Sequence, residues 1–200
     1  MIDEFRRNLP HFYEENAVYD ITFRLVNTIP RHIFQDYIII KEQLKKQGKD
    51  KDLYRVYNDN IGEYLDDTAN SKSWLANTEV QAEVLSAIYF HHKKSFYVIA
   101  FCIMPNHVHL IVNTLGFSYS PLGKTLGSIK QFSARKANLI LQRKGQFWHH
   151  ESYDHMVRSR NELAERVKYV KNNPVKSGLV KSWKDWKGTF VDSRFLDSLE

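Results

Sequence analysis

Two hundred residues with 12 Phe, 11 Tyr and 4 Trp but only 8 Gly and 5 Pro exclude a disordered or repetitive polymer and suit one folded domain with a sizeable core. The formal charge of +6 is unevenly laid out: residues 1–121 sum to −2 and residues 122–190 to +10, so the C-terminal third offers a surface for a polyanion or a solvated basic face. No window reaches the roughly 18 apolar residues of a membrane span, and MIDEFRRNLP lacks a signal-peptide layout; with one cysteine, Cys102, in an apolar run, this points to a cytoplasmic protein with a buried thiol.

AVYDITFRLVN (17–27) alternates as a strand, with Val18, Ile21, Phe23 and Leu25 of strand type. Pro30 opens a helix over about 32–47, whose apolar side is Ile33, Phe34, Tyr37, Ile38 and Leu44. GKDKD (48–52) breaks the pattern, and 53–70 is a weaker, helix-leaning stretch; the region 48–76 reads as a helical insertion. A clear helix starts near Asn77, supported by Thr78, Glu79 and the spacing Val80, Val84, Leu85, Ile88, and His91 and His92 fit its end. SFYVIAFCI (95–103), the turn MPN and HVHLIVN (107–113) form a hairpin. After the loop GFSYSPLG (116–123), TLGSIKQFSARKANLILQRKG (125–145) is a basic amphipathic helix stopped by Gly145. FWHHESYDHMVRS (147–159) is extended. Ser159 and Glu162 then have capping-box spacing for a helix over 160–173, closed by Pro174. The tail, 181–200, reads as irregular. This order implies an α+β layer with a mainly antiparallel sheet covered by helices, of which a ferredoxin-like plan is one form.

The stretch MPNHVHLIV puts His107 and His109 on one face of a strand, one strand period apart, with Val108 and Leu110 on the other face. They are either ordinary sheet histidines or two ligands of a metal that needs a third. Histidine-triad nucleotide hydrolases would carry a third histidine at position 111, where this chain has Ile111. The other pattern with this spacing, histidine–hydrophobic–histidine, belongs to the HUH single-strand DNA nucleases and calls for a nucleophilic tyrosine on a later helix.

ERVKYVKNNPVKSGLV (165–180) supplies a candidate. At about 100° per residue, Val167 and Val170 share a stripe with Leu163, while Tyr169 stands off it with Asn173 one turn further on the same side. Arg166, Lys168 and Lys171 are its neighbours in sequence. Tyr169 is thus a boundary tyrosine or a nucleophile. A phenol ordinarily titrates near 10 and attacks poorly at neutral pH. A divalent ion on His107, His109 and a third ligand such as Asn173 would polarise a scissile phosphate. Attack by Tyr169 would leave a 5′-phosphotyrosine and a free 3′-hydroxyl, a step that can reverse because the bond energy is retained.

With SWLANTEVQAEVLSAI, SIKQFSARKAN, FWHHESYDHMVRSRNEL and YVKNNPVKSGLV in order around MPNHVHLIV, the chain resembles the insertion sequence 200-like transposases of the HUH class. Within them it is similar to the REP-associated tyrosine transposase branch. The resemblance spans 72–180, includes the N-terminal strand and fits 48–70 only loosely. It implies a ferredoxin-like sheet, Mg²⁺ or Mn²⁺, and cleavage of single-stranded or hairpin DNA by a monomer or homodimer. Carried over by position, His107 and His109 are metal ligands, Tyr169 is the nucleophile, and Asn173, next to Asn172, is the third ligand.

Lys124, Lys130, Arg135, Lys136, Arg143 and Lys144, with Arg166 and Lys171, are candidate DNA contacts. Phe147, Trp148, His149 and Tyr153 are either stacking surfaces or core. His149, His150 and His155 could form a satellite metal cluster. Two rival functions remain at this point: a DNA strand transferase, and a hairpin-binding protein that keeps the fold without cleaving.

Overall fold

A computed structural model describes residues 17–49, 53–66, 72–114 and 122–196. Its frame is a five-stranded antiparallel sheet of β1 (Val18–Leu25), β2 (Tyr97–Ile103), β3 (His107–Asn113), β4 (Trp148–Val157) and β5 (Thr189–Val191). The strand order is β4-β1-β3-β2-β5. The first four reproduce the ferredoxin-like order expected from the sequence, and β5 extends it at the β2 edge. Around the sheet lie α1 (Arg31–Lys46), α2 (Leu53–Tyr57), α3 (Glu63–Asp66), α4 (Thr78–His91), α5 (Leu122–Ile140) and α6 (Arg160–Lys176). Among the described residues no helix is long and apolar enough to cross a membrane.

Alternation along the strands divides the molecule into two layers. Tyr19, Ile21, Phe23 and Leu25 of β1 share a core with Val108, Leu110 and Val112 of β3, under Val80, Val84 and Ile88 of α4 and Leu126, Ile129 and Ala137 of α5. Phe147 and Trp148 belong to that core, and the Trp148 indole N–H donates to Ser133 Oγ at 2.9 Å. A register shift between Val98 and Ala100 lets Val98 and Phe101, three residues apart, face the same side.

The opposite face carries the polar residues of β1 and the histidines. There α6 packs Val167 and Val170 on Ile99, Cys102 and Ile111. Over the β1–β4 half, Tyr37 of α1 joins Tyr57, Ile61 and Leu65 of the helical run 53–66, with Tyr153 of β4 beneath them. Burial raises the Cys102 thiol to about 12, which makes it inert.

Local chemistry accounts for where the helices start. The Asn77 side chain caps α4, accepting from the N–H groups of Glu79 and Val80. Ser159 caps α6 by accepting from the Glu162 N–H, while the Glu162 carboxylate reaches back to the Arg158 N–H at 2.8 Å.

Three boundaries differ from the sequence reading. α5 ends at Ile140, not Gly145: Gln142 takes φ 49°, and the N–H groups of Gln142 and Arg143 donate to the carbonyls of Leu139 and Asn138. Pro174 does not close α6 but sits buried within it; the helix runs on to Lys176, and Gly178 at φ 68° then lets Leu179 N–H donate to the Pro174 carbonyl. The segment read as an irregular tail supplies β5, whose Phe190 stacks on Phe101. The loop expected over 116–123 lies outside the described residues except for its last two, which open α5.

Candidate active site

His107 and His109 project from β3 into the seam between α6 and the helical run 53–66, and they are 0% and 4% exposed. Each ring is held from behind. His107 Nδ1 lies 2.6 Å from Asn106 Oδ1, and His109 Nδ1 lies 3.0 Å from Thr22 Oγ1. With each Nδ1–H donated outward, the lone pairs of both Nε2 atoms converge, and those atoms are 2.9 Å apart. Burial lowers the basicity of both rings, taking His109 to about 4 and His107 well below its ordinary range. Both are therefore neutral donors at neutral pH.

α6 brings two further groups to the pair within the same chain. The Tyr169 ring lies 5.3 Å from the His109 ring at 84°. One turn on, Asn173 places its Nδ2 3.2 Å from His109 Nε2, while its buried Oδ1 has no partner. The two ends of such an amide are interchangeable by a flip.

The fourth group comes from the insertion and was not identified from sequence. Asp66, at the end of α3, offers a carboxylate oxygen within 4.8 Å of both histidine donor atoms, and its Oδ1 has no hydrogen-bond partner. Asn106 fixes its position: one amide of this side chain accepts from His107 and donates to the Leu65 carbonyl at 2.9 Å. The Tyr169 hydroxyl makes a long 3.5 Å bond to Asp66 Oδ2, which also accepts from Lys176 Nζ at 2.9 Å. Burial, and then the Asp66 charge, push the Tyr169 hydroxyl well above its ordinary value.

This donor set fits a small divalent cation. Two ligands about 2.1 Å from such an ion and at right angles stand about 3 Å apart, which matches the two Nε2 atoms. Two buried oxygens without partners beside two neutral imidazoles supply the mixed nitrogen–oxygen shell such ions accept. Among the described residues no other three histidines, cysteines or carboxylates meet in this way. His149, His150 and His155 do not: His155 binds Glu162 at 2.6 Å, and the His149 and His150 rings pack on each other.

The expected DNA contacts are dispersed. The basic residues of α5 lie across the sheet from the histidines. Lys124, Arg135 and Lys144 are exposed. Lys136 approaches Glu83 at 4.0 Å, and Lys130 donates to the His150 carbonyl and Ser152. Arg143 stacks on Trp74 at 3.8 Å. Arg166 is buried between Asp20 and Glu162, at 3.7 and 3.0 Å, and Lys171 stands over Trp183. Phe147 and Trp148 are core, and Tyr153 is stacked on Tyr57 with centroids 3.7 Å apart. None of these aromatic residues is an open platform, for the half-buried His149 ring packs on His150 and against Phe34.

A profile of the family described as "Transposase IS200 like" matches residues 68–173. A Haemophilus influenzae protein described as a REP-associated tyrosine transposase is 28% identical over 99 residues, covering 46% of this chain and 56% of the relative. The chain thus matches little more than half the length of that relative. A solved REP-associated tyrosine transposase, bound to a REP hairpin, superposes with a TM-score of 0.52 over 94% of this chain and 82% of its own, at 17% identity, and shares the fold. With more than half of its residues matched by the profile, the chain belongs to the IS200-like transposase family.

Proposed function

We propose that the protein is a metal-dependent, single-stranded DNA endonuclease and strand transferase that uses Tyr169 at hairpin-associated sites. The observation that carries this reading is the meeting, in one chain, of Tyr169 with two convergent imidazole nitrogens and two partnerless buried oxygens. His107, His109, Asp66 and Asn173 would hold Mg²⁺ or Mn²⁺. The bound ion would polarise the scissile phosphate and offset charge on the leaving oxygen.

The chain's own residues do the rest. Tyr169 Oη attacks phosphorus, the bond from phosphorus to the 3′-oxygen breaks, and the products are a 5′-phosphotyrosine and a 3′-hydroxyl. This role is supported by α6 holding the Tyr169 ring 5.3 Å from that of His109, so the strand need only be delivered to it. Because the phosphotyrosine keeps the bond energy, a new 3′-hydroxyl in the same place can rejoin strands. Hairpin DNA as the partner is supported by the solved relative, which carries a REP hairpin. Tyr169 and the four proposed ligands all come from one chain, which supports an active site formed in cis.

One observation favours a second reading, a hairpin-binding protein that does not cleave: both histidines and Asn173 are almost fully enclosed. The two are separated by incubating labelled hairpin DNA from the gene's flanks with Mn²⁺ or Mg²⁺. A covalent protein–DNA adduct is expected, and Tyr169→Phe should abolish it. An adduct that survives in that variant rejects the nucleophile, and binding without cleavage under either metal supports the second reading.

A further inference from the structure

We propose that the Asp66–Lys176 ion pair is an exchangeable link between metal and DNA: a divalent cation takes the carboxylate, a DNA phosphate takes the ammonium, and each ligand so promotes the other. This rests on the metal-dependent reading above.

The two partners differ in their freedom. The Asp66 side chain is 8% exposed and that of Lys176 51%. A nearly buried carboxylate needs a partner wherever it is charged. In the free protein Lys176 Nζ, 2.9 Å from Oδ2, is that partner. A cation between the histidines can take the partnerless Oδ1 and offset the negative charge that holds Lys176 on Oδ2, because Asp66 has a carboxylate oxygen within 4.8 Å of both imidazole donor atoms.

Lys176 is long, flexible and half in solvent, so it can leave at little cost. It also stands in a useful place. Seven residues after Tyr169, it lies on the same face of α6, with its ammonium 5.6 Å from the tyrosine ring centroid. A phosphate that reaches the Tyr169 ring therefore comes within range of this ammonium. The other α6 cations predicted to touch DNA are engaged elsewhere, Arg166 with Asp20 and Glu162 and Lys171 over Trp183. Lys176 is thus the α6 cation whose partner belongs to the metal site.

The test uses the full chain carrying Tyr169→Phe, which cannot cleave. Hairpin-DNA affinity is read by fluorescence anisotropy, with EDTA or with Mn²⁺, and Mn²⁺ affinity by paramagnetic resonance. Mn²⁺ should tighten DNA binding about five-fold or more, and DNA should tighten Mn²⁺ binding by the same factor. Adding Asp66→Asn should tighten DNA binding in EDTA by releasing Lys176. In a Lys176→Met background the same substitution should change it by less than about two-fold. Lys176→Arg, which keeps the charge, should retain the coupling. An Asp66→Asn effect of equal size with and without Lys176 overturns the exchange and leaves only general repulsion. Absence of any Mn²⁺ binding sensitive to His107→Ala overturns the metal reading itself, and the exchange with it.

Discussion

Thr22 is an inconspicuous residue in the middle of the first strand, yet its hydroxyl is the 3.0 Å partner of His109 Nδ1. Thr22→Val keeps the shape and removes that partner, so the imidazole loses its fixed tautomer and orientation. Metal affinity, read by titration calorimetry with Mn²⁺, should fall about ten-fold or more. An unchanged affinity would mean that the ring needs no support from β1. His107, His109, Tyr169 and Asn173 differ from Thr22 in one respect. Those four stood out in the sequence because their spacing is local: one strand period for the histidines, one helical turn for the other two. Asp66 and Thr22 meet the histidines across 41 and 87 residues, and Lys176, though close to Tyr169 in sequence, pairs with Asp66 across 110. Nothing in GEYLDD singles out one of its acids, and only the fold says which of them reaches the histidines.

Helix ends show the same division. The start of α6 was readable, because Ser159 and Glu162 act through bonds only three or four residues long. Its end was not, because a proline in the last turn is tolerated when its ring is buried and a glycine follows to finish the helix. Gly178 is therefore the stop, and an added Cβ there would meet nothing within 4 Å. Gly178→Ala should consequently cost about 1 kcal/mol through backbone conformation alone, measurable by urea unfolding. No loss of stability would show that the helix end can relax without the left-handed turn. The end of α5 misled for the opposite reason: Gln142 adopts the left-handed position that Gly145 was expected to fill. The hairpin, α1 and α4 were legible because each has a strong hydrophobic period between clear breaks.

For the molecule as a whole, the net charge of +10 over residues 122–190 said that a basic region exists but not which side it covers. The sheet splits it, with α6 on the side of the histidines and α5 on the other. Replacing the exposed Lys124, Arg135 and Lys144 with Gln should weaken hairpin binding and reduce its salt slope by up to about 0.9 for each phosphate no longer neutralised. Adduct yield from a short single strand at saturation should stay the same. Full retention of hairpin affinity would remove the α5 face from the DNA path. The place of β1 in the sheet has its own consequence. The strand formed by residues 18–25 is flanked by β3 and β4, whose residues come some 80 to 140 positions later. Emerging before both of its partner strands, it must wait with its apolar side unsatisfied until they have followed. Closing so long a loop is slow, and Thr22 arrives with it. The candidate metal pocket is thus assembled late, and a nascent or partly folded chain holds Tyr169 before the proposed ligands are in place around it.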